Sequence, residues 1–85
     1  MFSRELFGQR VREARSRCGE TQTDLGNYLG IRKSQVSEIE KGSASTTVER
    51  VALICRHYQV SADYLLGLSD DPCPPKGGDE NGPLV

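Results

Sequence analysis

The chain has 85 residues, with 11 Lys/Arg against 12 Asp/Glu and a formal net charge of −1. That length predicts one small domain, which buries only about 60% of its unfolded surface and has little stability to spare. No apolar run approaches the ~20 residues of a membrane helix, and no basic segment leads into an apolar one at the N-terminus, so neither a membrane span nor a secretory signal is expected.

The charge is unevenly spread. Residues 1–68 carry ten Lys/Arg against eight Asp/Glu, whereas residues 69–85 carry one against four. A mildly basic body with an acidic end neither demands nor excludes a nucleic-acid partner. Cys18, Cys55 and Cys73 have no metal-ligand spacing and are odd in number, so they read as free thiols of a reducing, cytoplasmic compartment. No metal or cofactor is expected.

The first predicted helix runs from Ser3 to Cys18. Ser3 is a hydroxyl cap, Phe7, Val11 and Ala14 form an apolar stripe, and Gly19 suits a left-handed end. The second runs from Gln22 to Leu29, where Thr21 and Asp24 have the spacing of a capping box. The third lies in GIRKSQVSEIEKG, residues 30–42, with Ile31, Val36 and Ile39 turned inward. The fourth begins near Thr46 or Thr47. Thr46 and Glu49 offer another capping box, and Val48, Val51, Ala52 and Cys55 are expected to face inward. The fifth is short: Ser61 caps it, Leu65 and Leu66 are buried, and Gly67 ends it. Residues 69–85 hold all four prolines and read as a disordered acidic tail.

Two features of this middle stretch go together. Gly26 has no bulk and Gly30 can take positive φ, as two helices crossing steeply through a tight turn require. Arg32 and Lys33 then fall at the start of the third helix. That end carries the positive pole of the macrodipole, so each cation costs roughly 0.3–1 kcal/mol. A polyanion docked there would offset the cost.

TQTDLGNYLGIRKSQVSEIEKG resembles the Cro/C1-type helix-turn-helix of phage repressors and their bacterial relatives, the XRE family. The similarity extends from FGQRVREARSRCG to VSADYLLG, about residues 7–67. It implies an all-α, compact five-helix lambda-repressor-like domain over residues 1–68, with the motif at about 21–41. It further implies sequence-specific binding of double-stranded DNA, the third helix in the major groove, by a homodimer on a pseudo-palindromic operator.

The resemblance, with helix geometry, places Lys33, Ser34, Ser37 and Glu38 against bases or beside them. Lys33 would donate to guanine, the two serines pair with either kind of edge, and Glu38 accept from cytosine. Arg32 would grip a phosphate, and Gln35 would point sideways toward the backbone. Gln22 matches a family glutamine that contacts a phosphate and braces the recognition helix; the turn capped by Thr21 adds free N–H groups. Ser43, Ser45 and Thr46 follow the third helix, where the family touches the DNA backbone. Arg15 and Glu40 match a structural ion pair between the first and third helices. Helix five, with Leu65 and Leu68, is the expected dimer surface.

There are three departures from the family pattern. Glu20 replaces an apolar residue, Arg32 replaces a hydroxyl cap, and Gln59 replaces a C-cap glycine. His57 is expected to be an exposed helix residue, and Tyr28, Tyr58 and Tyr64 to be packing groups. An alternative function is an antitoxin-like module that binds a small protein partner. Enzymatic chemistry has no residues to perform it: one histidine and no phosphate loop.

Overall fold

Among the described residues, four of five helices begin at a hydroxyl. A Ser or Thr oxygen in extended backbone accepts an N–H that the first helical turn cannot satisfy, worth about 1 kcal/mol. Ser3 accepts from Leu6 N at 3.1 Å, Thr21 from Asp24 N at 3.1 Å, Thr47 from Arg50 N at 3.2 Å and Ser61 from Asp63 N at 3.1 Å. These caps open α1 (Arg4–Arg17), α2 (Gln22–Leu29), α4 (Val48–Tyr58) and α5 (Ala62–Leu66), while α3 (Lys33–Lys41) begins at Arg32. This computed structural model describes residues 2–74.

Helix ends follow the same local logic. Gly30, Gly42 and Gly67 end α2, α3 and α5 at positive φ. Gln59 does so for α4 at φ 56° and ψ 49°, so a side chain takes the left-handed angle expected of a replaced glycine.

The inward stripes meet in one core. Phe7, Val11 and Ala14 of α1 pack with Leu25 and Leu29 of α2 and with Val36 and Ile39 of α3; Ile54, Tyr58, Val60, Tyr64 and Leu65 close it from the C-terminal side. Two glycines bring the helices close enough. A Cβ on Gly26 would lie 2.7 Å from the carbonyl oxygen of Ile31, inside the α2–α3 turn. A Cβ on Gly8 would lie 2.5 Å from the carbonyl oxygen of Glu40, so α1 lies directly on the backbone of α3.

The expected face of α4 is corrected. The helix is capped by Thr47, one residue later than the Thr46 box requires, and the residue three on is Arg50, which cannot accept. Val48 is consequently 82% exposed and Ala52 is exposed; Ile54 and Tyr58 fill the core, with Val51 and Cys55 at its edge. Thr46 Oγ1 is left buried, without a partner among the described residues. Leu65 is fully buried, which removes it from the expected dimer surface, whereas Leu68 is exposed.

Ser69 to Pro72, the start of the expected tail, lies along α1 and α5. Arg10 donates to the carbonyl oxygens of Tyr64 and Ser69, pairs with Asp70 at 3.0 Å and stacks 4.2 Å above the Tyr64 ring. Pro72 O accepts from Ser61 N at 2.9 Å. The tail expectation for residues 75–85 lies outside the described residues.

Candidate nucleic-acid interface

Arg32, Lys33, Ser34, Gln35 and Glu38 are all exposed, on the side of α3 away from the buried Val36 and Ile39. Ser37 is half-buried. The start of α3 has no acidic residue in its first turn. Arg32 has the extended backbone of an N-cap, but a guanidinium has no lone pair for an N–H. Among the described residues the N–H groups of Lys33 and Ser34 have no protein acceptor. Two cations and two open donors thus share one helix end, the arrangement suited to an anion.

Gln35 departs from its expected sideways position. Its Oε1 turns back to accept Arg32 N at 3.0 Å, half of a capping box, so the helix start is better closed than the missing hydroxyl suggested. Glutamine three residues after the cap was the available signal.

The base of α3 is fixed by a polar cluster. Glu40, with its side chain 3% exposed, receives Arg15 Nε at 2.7 Å and Arg15 Nη2 at 3.0 Å. Gln22 Nε2 donates to the same carboxylate at 3.0 Å, and Arg15 Nη1 reaches Glu20 O at 2.8 Å. Hydrogen bonding to Glu40 holds the Arg15 guanidinium above its ordinary pKa. The expected pair is therefore present and bidentate, and Gln22 braces α3 directly. The residue is half-buried.

The turn at α2 is more closed than expected. Thr21 N donates to Asp24 Oδ2 at 2.9 Å while Asp24 N donates to Thr21 Oγ1. This box occupies two of the four free N–H groups and leaves a carboxylate at the helix end. The Thr21 backbone and hydroxyl bonds hold the Asp24 pKa below the ordinary value of 3.8. Ser43 also helps to hold the fold, because its N and Oγ both donate to Glu38 O, at 3.0 and 3.1 Å, closing α3. Its hydroxyl oxygen stays exposed and able to accept.

A second cluster was not foreseen. Glu20 accepts from Tyr58 OH at 2.9 Å and lies 2.9 Å from His57 Nε2, and the His57 ring stacks on Tyr28 at 4.1 Å. His57 is thus half-buried and engaged, and Glu20 is satisfied by α4 instead of apolar packing. Burial raises the Tyr58 phenol well above its usual pKa, with the Glu20 bond adding to the rise. Nothing local in the sequence links positions 20 and 57.

A family model described as "Helix-turn-helix domain" matches residues 6–68. The chain belongs to the helix-turn-helix family. This helix-turn-helix domain is 36% identical over 69 residues to the uncharacterized HTH-type transcriptional regulator YobD of Bacillus subtilis, covering 81% of the chain and 62% of YobD. It is 33% identical over 61 residues to the HTH-type transcriptional regulator ImmR of the same organism, covering 72% of the chain and 48% of ImmR. The chain thus spans less than two thirds of the length of these relatives. Antitoxin PezA of Streptococcus pneumoniae is 26% identical over 62 residues, 73% of the chain and 39% of PezA. Among solved structures, the P22 c2 repressor in complex with a synthetic operator superposes with a TM-score of 0.69 at 28% identity, covering 75% of this chain and 97% of that one. The restriction-modification controller protein C.AhdI of Aeromonas hydrophila gives 0.65 at 26%, covering 73% and 90%. The helix-turn-helix domain has the lambda-repressor-like fold of these neighbours.

Among the described residues no helix is long and apolar enough to cross a membrane.

Proposed function

We propose that this protein is a sequence-specific double-stranded DNA-binding transcriptional regulator, a repressor that binds a pseudo-palindromic operator as a homodimer. In this reading α3 enters the major groove. Lys33, Ser34, Ser37 and Glu38 meet base edges, and Arg32, Thr21, Gln22 and Ser43 meet the sugar–phosphate backbone. Two such domains on one face of the duplex would address half-sites about 34 Å apart.

The observation that carries the reading is the N-terminal end of α3. It combines Arg32 and Lys33, uncompensated by any acid in the first turn, with two open backbone donors, on a helix whose other end is locked to α1 through Glu40. A free helix is weakened by such charges; a helix docked on phosphates is not. The P22 c2 repressor, solved with a synthetic operator, supports the same use of the fold.

Selection of bound sites from random duplex DNA tests it. Enrichment of a two-fold symmetric sequence is expected, with the preferred bases changed in Lys33→Ala and Ser34→Ala. Recovery of unselected sequence by a folded protein would contradict the proposal. The similarity to antitoxin PezA favours a second reading, in which a small protein partner is the main ligand and DNA is secondary. Stoichiometric co-purification of such a partner, with no enriched DNA site, would decide for it.

A further inference from the structure

Beside the exposed side of α3 lies a polar cleft that reaches beyond the proposed DNA surface onto α1. Its walls are Arg12 and Arg15 from α1, Gln22 from α2, and Ser37, Glu40 and Lys41 from α3. Arg12 sits three residues before Arg15, one turn along the same side of α1. Both Arg12 and Lys41 are exposed, and neither has an ion pair or a side-chain hydrogen bond among the described residues.

The electrostatics of this cleft are one-sided. Its only acid, Glu40, is already bound by Arg15 and Gln22 on both oxygens. Arg15 and Glu40 cancel, which leaves Arg12 on the α1 wall and Lys41 on the α3 wall as two cations uncompensated among the described residues. Like charges brought together gain from an anion placed between them. Gln22 and Ser37 line the same cleft and belong to the proposed DNA surface, so the cleft opens onto the duplex side.

We propose that the Arg12–Lys41 cleft receives a backbone phosphate of the bound duplex, with Arg12 as a DNA contact supplied by α1. This rests on the reading of the protein as a DNA binder. Arg12 would add affinity without base preference, because phosphates carry position and no sequence. It would also tie α1 to the duplex, so that α1 and α3, already joined through Arg15 and Glu40, dock as one body.

The test uses the full chain and two duplexes, a selected site and its scrambled counterpart, with Arg12→Gln, Lys41→Gln and Arg17→Gln. Arg17 is an α1 cation outside the cleft, between a neighbouring hollow that it lines with Arg12 and the side of Tyr58 and Val60. Arg12→Gln should flatten the log affinity–log salt slope, and Arg12→Gln combined with Lys41→Gln should flatten it by about 0.9 per bound subunit, the counterion of the one phosphate that the cleft neutralises. The loss should be equal on both duplexes, and the selected consensus should not change. Arg17→Gln should match the parent. An unchanged slope for Arg12→Gln, an equal fall for Arg17→Gln, or an altered consensus in Arg12→Gln would each overturn the proposal. If the parent protein binds neither duplex, the DNA-binding reading itself falls and this contact with it.

Discussion

Arg15 and Glu40 face each other across α1 and α3 through two parallel hydrogen bonds, at 2.7 and 3.0 Å, with the carboxylate almost wholly out of water. Removing the arginine leaves a buried charge supported by Gln22 alone. Arg15→Ala is therefore expected to lose about 3 kcal/mol, the low end for breaking a buried pair because the guanidinium is not fully enclosed. The double change Arg15→Met with Glu40→Leu should recover most of that stability, since an apolar pair needs no desolvation. Chemical denaturation of the three proteins checks this. Equal stability of Arg15→Ala and parent would show that the pair holds nothing.

The approach of α1 to α3 gives a second prediction. Gly8 lies against the backbone of Glu40, and neither backbone can yield as a side chain would. Gly8→Ala should lose about 1–3 kcal/mol by overpacking and shift α3 away from α1. Gly26→Ala should behave alike, through Ile31 O. Thermal melts read the first effect, and DNA affinity of the still-folded fraction reads the second.

Gln59 offers a gain. Its left-handed backbone costs a side chain roughly 1–2 kcal/mol, against one exposed bond from its own amide to Arg56 O at 2.8 Å. Gln59→Gly is expected to raise stability by up to about 1 kcal/mol. A fall in melting temperature would mean that the side-chain bond outweighs the strain.

Asp24 sets an acid limb. Its pKa is lower in the folded chain than the ordinary 3.8, so its contribution is complete above that value and is lost as pH falls through the lower folded one. Stability of the parent should drop more steeply below about pH 4 than that of Asp24→Asn. Identical acid limbs would remove the capping box from the account.

How much of this was legible in the residues depends on the range of the interaction involved. Ser3, Thr21, Ser61, Gly30 and Gly67 act within one turn, and their roles can be read from neighbours three or four positions away. Lys33, Ser34 and Glu38 are exposed for the same reason, because Val36 and Ile39 fix the opposite face. Val48 shows the limit. Thr46 and Thr47 are both good caps, and choosing between them turns the helix by one residue, enough to move a valine from core to solvent. Glu20 shows another limit, since its partners His57 and Tyr58 are set by tertiary packing. Gly8 could have been found: a glycine inside a helix, on the buried stripe, marks a close backbone approach.

The most direct measurement is a competition titration of the full chain with a selected operator and a scrambled duplex of equal length, for the parent and for Lys33→Ala, at one fixed salt concentration. The parent should prefer the operator strongly, and Lys33→Ala should lose about 1–3 kcal/mol of that preference while keeping most of its affinity for the scrambled duplex. A folded parent protein with equal affinity for both duplexes would contradict the account.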